Sequence, residues 1–239
     1  MANELIAIIS HKRAGNVGKM SAHLPNAVWY VGHGEADEYK EAGAVNVVES
    51  GGLIDSRNRA LDDAHNSGRG CVQVSDDFGG VTLAGTKSDK KITLLQAIEM
   101  MSGVADQIGA KLAGVAPVAN RFYVDPEKPV KTRHFIVGDL IYVAPSSPRF
   151  DDKLRLKEDY DFTAQHLKEY GAVARLDVLM AKFAHRTNAG GAVAYRTSDV
   201  EQEAIAYLKA KWPGAIVDNP RRPDEVLFKG EVILGAGNG

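Results

Sequence analysis

Two acidic clusters carry the residue types most suited to chemistry. The first, Asp76-Asp77, closes the apolar run Cys71-Val72-Gln73-Val74-Ser75. Adjacent carboxylates at the end of a buried strand are costly unless they are paired or bound to a metal. Strand ends in open α/β sheets are also where ligands bind. Mg²⁺ takes carboxylate oxygens and bridges them to phosphates, and a metal on a diphosphate neutralises a leaving group. The pair reads as a metal site or as a solvated turn or helix cap. The second cluster is Glu158-Asp159-Tyr160-Asp161, at or just before a helix start. Acids there gain from the helix dipole. Capping explains them, and so does a general base acting on an acceptor hydroxyl.

Cationic and polar residues stand at matching places. Arg57 and Asn58 fall near the start of a helix upstream of the first acid pair. A guanidinium fork suits phosphate and a helix start favours anions; the other reading is a surface arginine on an amphipathic helix. His11, Lys12 and Arg13 directly follow the first apolar run. That loop suits the base or phosphates of a nucleotide, or is a solvated basic turn. His185 ends an apolar segment before Asn188 and Gly190-Gly191, and reads as a metal or phosphate contact or as a structural histidine. The remaining histidines have no metal-ligand spacing. Neither G-x-x-x-x-G-K-[ST] nor a clean G-x-G-x-x-G is present.

The elements that must hold these residues begin as strand, helix, strand. Leu5–Ile9, Val28–Val31, residues 44–48 and Cys71–Ser75 read as buried strands. A short helix over residues 35–42 and a longer one capped by Asp55 or Ser56 and stopping near Gly68 lie between them. This alternation predicts βαβ units and a largely parallel sheet. Thr93-Leu94-Leu95-Gln96 has the form of a capping box for a helix reaching Ile108. Leu94, Ile98, Met101 and Ala105 recur on it at helical spacing, which makes its methionines core residues.

The second half changes texture. Residues 133–136 and 140–143 flank Val137-Gly138-Asp139 and predict a hairpin. A helix ending near Gly171 follows, then a strand over residues 172–183. Ser198-Asp199-Val200-Glu201 starts a further helix that ends before Pro213. The expected fold class is α/β: a mixed, mostly parallel central sheet flanked by helices, with antiparallel additions in the C-terminal half. The expected organisation is one domain over 1–230, with a nucleotide-binding part over 1–90, an acceptor-binding part over 91–230, and a flexible tail over 231–239.

Bulk properties narrow the function classes. The 239 residues are 44% hydrophobic and 25% charged, enough for a real core. A net charge of -2 excludes a generally basic nucleic-acid coat, so a nucleic-acid acceptor needs a local patch. Candidates are Lys87, Lys90, Lys91, Arg121, Lys128, Lys131, Arg133, Arg221 and Arg222, interleaved with Phe122, Tyr123 and Trp212. An ordinary solvated surface is the other reading. The single cysteine, Cys71, excludes a disulfide framework and reads as a small buried hydrophobe or a thiol. No leader-like N-terminus and no apolar run of membrane-spanning length are visible, so a soluble, cytoplasmic protein is expected.

After the polar loop that follows the first strand, four motifs in order carry a family resemblance: Ser56-Arg57-Asn58-Arg59-Ala60-Leu61, Asp76-Asp77, Leu156 to Phe162, and His185-Arg186-Thr187-Asn188. Over roughly residues 3–230 the chain resembles a glycosyltransferase-A fold enzyme, and more narrowly is similar to the TET-associated glycosyltransferase family of phages and some eukaryotes. The resemblance implies a UDP-sugar donor, a Mn²⁺ or Mg²⁺ ion, and 5-hydroxymethylpyrimidine in DNA, above all 5-hydroxymethylcytosine, as acceptor. It would put His11 and Arg13 on the donor nucleotide and Arg57 and Asn58 on the donor. Asp77 would hold the metal, with His185 as a further ligand. Glu158 and Asp159 would lie beside the acceptor, with Asp159 as general base. The usual acidic motif is Asp-x-Asp, whereas Ser75 replaces the first acid here, leaving Asp76 to ribose or metal. Two rival readings keep the fold: transfer to a protein or saccharide hydroxyl, and a non-catalytic nucleotide- or DNA-binding module.

Overall fold

The computed structural model describes residues 4–184 and 197–235. The first part alternates as predicted: β1 (Leu5–Ile9), α1 (Val17–Ser21), β2 (Val28–Val31), α2 (Ala36–Glu41), β3 (Asn46–Glu49), α3 (Leu53–His65) and β4 (Cys71–Ser75). There follow β5 (Phe78–Leu83), β6 (Lys90–Ile92), α4 (Leu94–Ile108), β7 (Leu112–Val115), β8 (Val130–Lys131), β9 (Leu140–Val143) and α5 (Glu158–Tyr170). The rest is β10 (Ala174–Leu176), β11 (Leu179–Phe183), α6 (Ser198–Lys211), β12 (Ile216–Asp218), β13 (Val226–Phe228) and α7 (Gly230–Ile233).

The main sheet has the order β3-β2-β1-β4-β9-β7-β10-β8. β1, β2, β3 and β4 pair in parallel, as do β7 and β10. β9 and β8 run antiparallel to their neighbours. The chain leaves β1 toward β2 on one side and returns to β4 on the other. That reversal is the switch point at which open α/β sheets bind ligands. Side chains alternate between faces: Trp29 joins Met20, Tyr39, Ile98 and Met101 on the face covered by α1, α2 and α4. Tyr30 joins Leu61 and Phe162 on the face covered by α3 and α5. The expected mixed, mostly parallel sheet flanked by helices is the observed fold.

Local signals explain the element ends. Thr93 Oγ1 accepts from the Gln96 N–H and Gln96 Oε1 accepts from the Thr93 N–H, closing the capping box. At α6 the cap is Thr197, one residue before the expected serine, accepting from the Val200 N–H. α3 starts ahead of Asp55, whose carboxylate instead accepts from the Gly52 N–H. Cys71 is buried in β4, and burial pushes its thiol up to about 12, so the reactive-thiol reading is set aside.

Two expected elements are corrected. Residues 133–136 form no strand, so there is no hairpin about Gly138; only Leu140–Val143 pairs, lying between β4 and β7. Gly138 is needed for close packing, not for a turn: a Cβ there would sit 2.7 Å from Arg57 Nη2. Residues 172–183 form two strands in different sheets, not one. β10 extends the main sheet, while β11 pairs with β5, which pairs with β6, in a three-stranded antiparallel sheet. The expected tail overlaps α7, and residues 236–239 lie outside the described residues.

Candidate functional site

The parallel register brings the ends of β1 and β4 together, with Ile9 beside Ser75. The residues just beyond are then neighbours. Ser10 Oγ donates to Asp76 Oδ2, and Arg13 Nη1 lies 3.0 Å from Asp76 Oδ1. Burial raises the Asp76 pKa, against the lowering effects of Ser10 and Arg13. Asp76 is thus an internal anchor that fastens the loop after β1. A second acid holds the same loop. Glu35 Oε1 meets His11 Nδ1 at 2.6 Å, and Glu35 Oε2 accepts from the Lys12 N–H at 2.9 Å. Lys12 sits at φ 56, a conformation L-residues avoid, so these contacts fix an otherwise unfavourable turn.

Asp77 behaves differently from Asp76. Its side chain is buried, and Oδ1 has no hydrogen-bond partner among the described residues. A buried carboxylate oxygen left open is expensive unless something else occupies it. The Asp77 carbonyl accepts from the Ala184 N–H at 3.2 Å. His185 lies outside the described residues.

The opposite wall comes from the segment before β9 and the start of α5. Because β9 runs antiparallel to β4, its entry lies beside the β4 exit, and the Ser75 N–H donates to the Asp139 carbonyl at 2.8 Å. Arg57 reaches here from α3. Its Nε faces Glu158 at 3.3 Å, Nη1 donates to Gln73 Oε1 at 3.1 Å, and Nη2 donates to the Gly138 carbonyl at 3.0 Å. The Gly138 N–H in turn donates to Asp159 Oδ2 at 3.1 Å. One backbone unit therefore joins the arginine to the second acid cluster. Burial, then the Glu158 charge, pushes the Asp159 carboxyl up to about 7. Such a group can take a proton near neutral pH.

These walls enclose a cavity of about 600 Å³, a size ordinary for small-molecule sites. His11, Arg13, Arg57, Asp76, Asp77, Glu158 and Asp159, expected from the sequence, all line it. Asn58 does not: its amide is spent on Phe150, donating to the carbonyl and accepting from the N–H, both at 2.8 Å. It ties α3 to the loop before α5 and faces away from the cavity. Arg57 lines the cavity but is committed to protein partners, so its first role is structural. The sequence reading passed over Ser10, Glu35 and Gly138. Ser10 and Gly138 carried signals, as the polar residue ending the first strand and the glycine preceding an acid. Glu35 carried none beyond its place after a strand.

Among the described residues, no group of three or more His, Cys, Asp or Glu gathers as a metal cluster. The open oxygen of Asp77 still fits Mg²⁺ or Mn²⁺, since Mg²⁺ commonly takes one or two carboxylates and completes its shell with phosphates and water. Among the described residues, no helix is long and apolar enough to cross a membrane.

No protein-family profile matches the chain, and no curated protein matches it in sequence. Among solved structures it is similar to S. aureus TarS, residues 1–349, in complex with UDP-GlcNAc. The TM-score is 0.54 at 13% identity, covering 88% of this chain and 67% of the other. The likeness is one of fold.

Proposed function

We propose that the protein transfers a sugar from a UDP-sugar to an acceptor hydroxyl in the cavity at the β1/β4 switch point. The observation that carries this reading is the sharing of one cavity by two unlike carboxylates. Asp77 has a buried oxygen with no partner among the described residues, open to a cation, and Asp159 has a carboxyl raised toward neutrality. The fold shared with a protein that holds UDP-GlcNAc supports the donor class.

In this reading the loop fastened by Asp76 and Glu35 receives the nucleotide, with Arg13 at its edge. Asp77 would hold Mn²⁺ or Mg²⁺, which when bound supplies charge neutralisation to the diphosphate. Asp159 takes the proton from the acceptor hydroxyl. The oxygen then bonds to the anomeric carbon as the bond to the diphosphate breaks, and UDP leaves with the electron pair, inverting that carbon. Glu158, paired with Arg57, stands beside Asp159 and raises its proton affinity. The first acceptor to test is the hydroxymethyl group of 5-hydroxymethylcytosine in DNA, which the sequence resemblance implies.

The test is transfer from a panel of UDP-sugars, with Mn²⁺ or Mg²⁺, to DNA carrying 5-hydroxymethylcytosine, read by nucleoside mass spectrometry. A gain of one sugar, lost with chelator, is expected. Donor hydrolysis without a DNA product moves the acceptor to a saccharide or protein hydroxyl. Absence of both hydrolysis and UDP binding overturns the transferase reading.

A further inference from the structure

The most exposed large apolar side chain among the described residues is Phe122, at 85%, with Tyr123 beside it at 69%. Their rings meet edge to face, 5.2 Å apart at 88°. Burial does not account for this pair, which lies open to solvent. Its backbone is nonetheless held firmly. Asn120 Oδ1 accepts from the Phe122 N–H at 3.0 Å. Arg121 reaches back to Asp89 Oδ1 and to the Gly85 carbonyl, both at 3.2 Å, and to the Val124 carbonyl at 2.9 Å. The 3-10 turn Arg121–Tyr123 is thus riveted to the connection between β5 and β6, with its two aromatic rings outward.

The charge of residues 85–92 and 120–128 is net positive, with the exposed Asp125 and Glu127 standing against four lysines. Lys87, Lys90, Lys91 and Lys128 are exposed, and none has a side-chain partner among the described residues. Asp89 is already matched by Arg121. Lysines on β6, the edge of its sheet, would by themselves serve to block edge pairing. Edge protection gives no reason for two solvent-facing rings fixed next to them. The chain as a whole carries -2, so this corner runs against its average. It also adjoins the cavity: Pro117, which lines the cavity, begins the stretch leading to the turn.

We propose that this corner is a binding platform for a single-stranded nucleic acid, with bases stacked on Phe122 and Tyr123 and phosphates met by Lys87, Lys90, Lys91 and Lys128. Aromatic platforms flanked by cations are the physical solution to binding such strands, because every base offers a π-face and every linkage a charge. The inference rests on the transfer reading only for its further consequence, that the strand held here is the acceptor. The platform lies outside the cavity, so it positions a strand whose target base enters past Pro117. The strand need not be paired, which avoids the cost of extracting that base from a duplex.

The experiment is fluorescence anisotropy of the full chain with a labelled oligothymidylate of about 16 nucleotides, alongside calorimetry of UDP with Mn²⁺. The Phe122→Ala/Tyr123→Ala variant should bind the oligonucleotide at least about tenfold more weakly, the scale of losing stacked bases. UDP binding should be unchanged. Lys87→Gln/Lys90→Gln/Lys91→Gln should lower the slope of log affinity against log salt by about 2, from roughly 0.7 per lost phosphate contact. Three results overturn the platform: no oligonucleotide binding by the unaltered protein, aromatic variants that bind like it, or polyphosphate bound as tightly as the oligonucleotide. Loss of UDP binding in the unaltered protein strikes the transfer reading instead and leaves the platform standing.

Discussion

Asp76-Asp77 at the end of β4 and Glu158-Asp159 at the start of α5 share one plan and put it to different uses. In each pair an arginine holds one member: Arg13 meets Asp76 at 3.0 Å and Arg57 meets Glu158 at 3.3 Å. The other member stays open to chemistry. At the strand end, the buried Asp77 Oδ1 has no partner among the described residues, which suits a cation. At the helix start, Asp159 accepts only backbone N–H groups among the described residues, beside a charged neighbour, and holds its proton tightly. Adjacent acids are therefore not by themselves a metal site. In each pair the arginine marks the anchored acid, and the surroundings of its neighbour differ.

The largest effect that sharpens this contrast is kinetic. Asp159→Asn should lower kcat by about 10²–10⁴-fold, the usual contribution of a positioned base, with UDP affinity preserved. Asp77→Ala should instead lose the metal-dependent part of UDP affinity. Steady-state kinetics and calorimetry of UDP with Mn²⁺ separate the two. If both variants lose the same parameter, the division of labour between the pairs is wrong.

Next in size is the cost of removing an anchor. Arg57→Met leaves Glu158 charged, buried and unpaired, and should destabilise by about 3–5 kcal/mol in denaturant unfolding. It also strands Gln73 and the Gly138 carbonyl. Arg13→Met should cost less, because Ser10 still donates to Asp76. Arg57→Met/Glu158→Gln should recover part of the loss. No recovery would mean that Arg57 acts through packing on Phe150, over whose ring it lies at 5.0 Å, and not through the acid.

The same contrast marks what sequence could and could not reveal. β1 and β2 are unbroken apolar runs and β4 is broken only by Gln73, so their places were legible, and the ends of β1 and β4 are where the site forms. The acids themselves were legible for the same reason. Which acid is paired depends on Arg13 and Arg57, residues 63 and 101 positions away from their partners, and only the fold brings them together. Gly138 misled because a glycine before an aspartate between apolar runs has the form of a hairpin turn. Its actual role, admitting the Arg57 guanidinium, leaves no local trace. Phe78–Leu83 was missed because Gly79-Gly80 breaks the alternation that marks a strand, yet its pairing with β11 gives it a place. Asn58 was grouped with Arg57 by adjacency, but neighbours on a helix point about 100° apart, and the two side chains serve different walls.

The smallest effect tests Asp159 without any assay of activity. Its carboxyl is raised from the ordinary 3.8 to about 7, first by burial and then by the Glu158 charge. The folded chain thus binds this proton more tightly than the unfolded chain. Stability from this group is full below the unfolded value, declines as pH rises, and levels off above about 7. Asp159→Asn keeps an acceptor for the Gly138 N–H and removes the charge. The variant should therefore melt higher than the unaltered protein at about pH 8 and converge with it toward about pH 4. The gap should grow as pH rises from about 4 through about 7 and level off above it. Over the same interval kcat/KM for the proposed transfer by the unaltered protein should rise with pH and flatten, because a general base acts only when ionised. A melting gap that is equal at both pH values would show that the asparagine acts through packing alone. The contrast between the two acid pairs would then lose its proton-holding half.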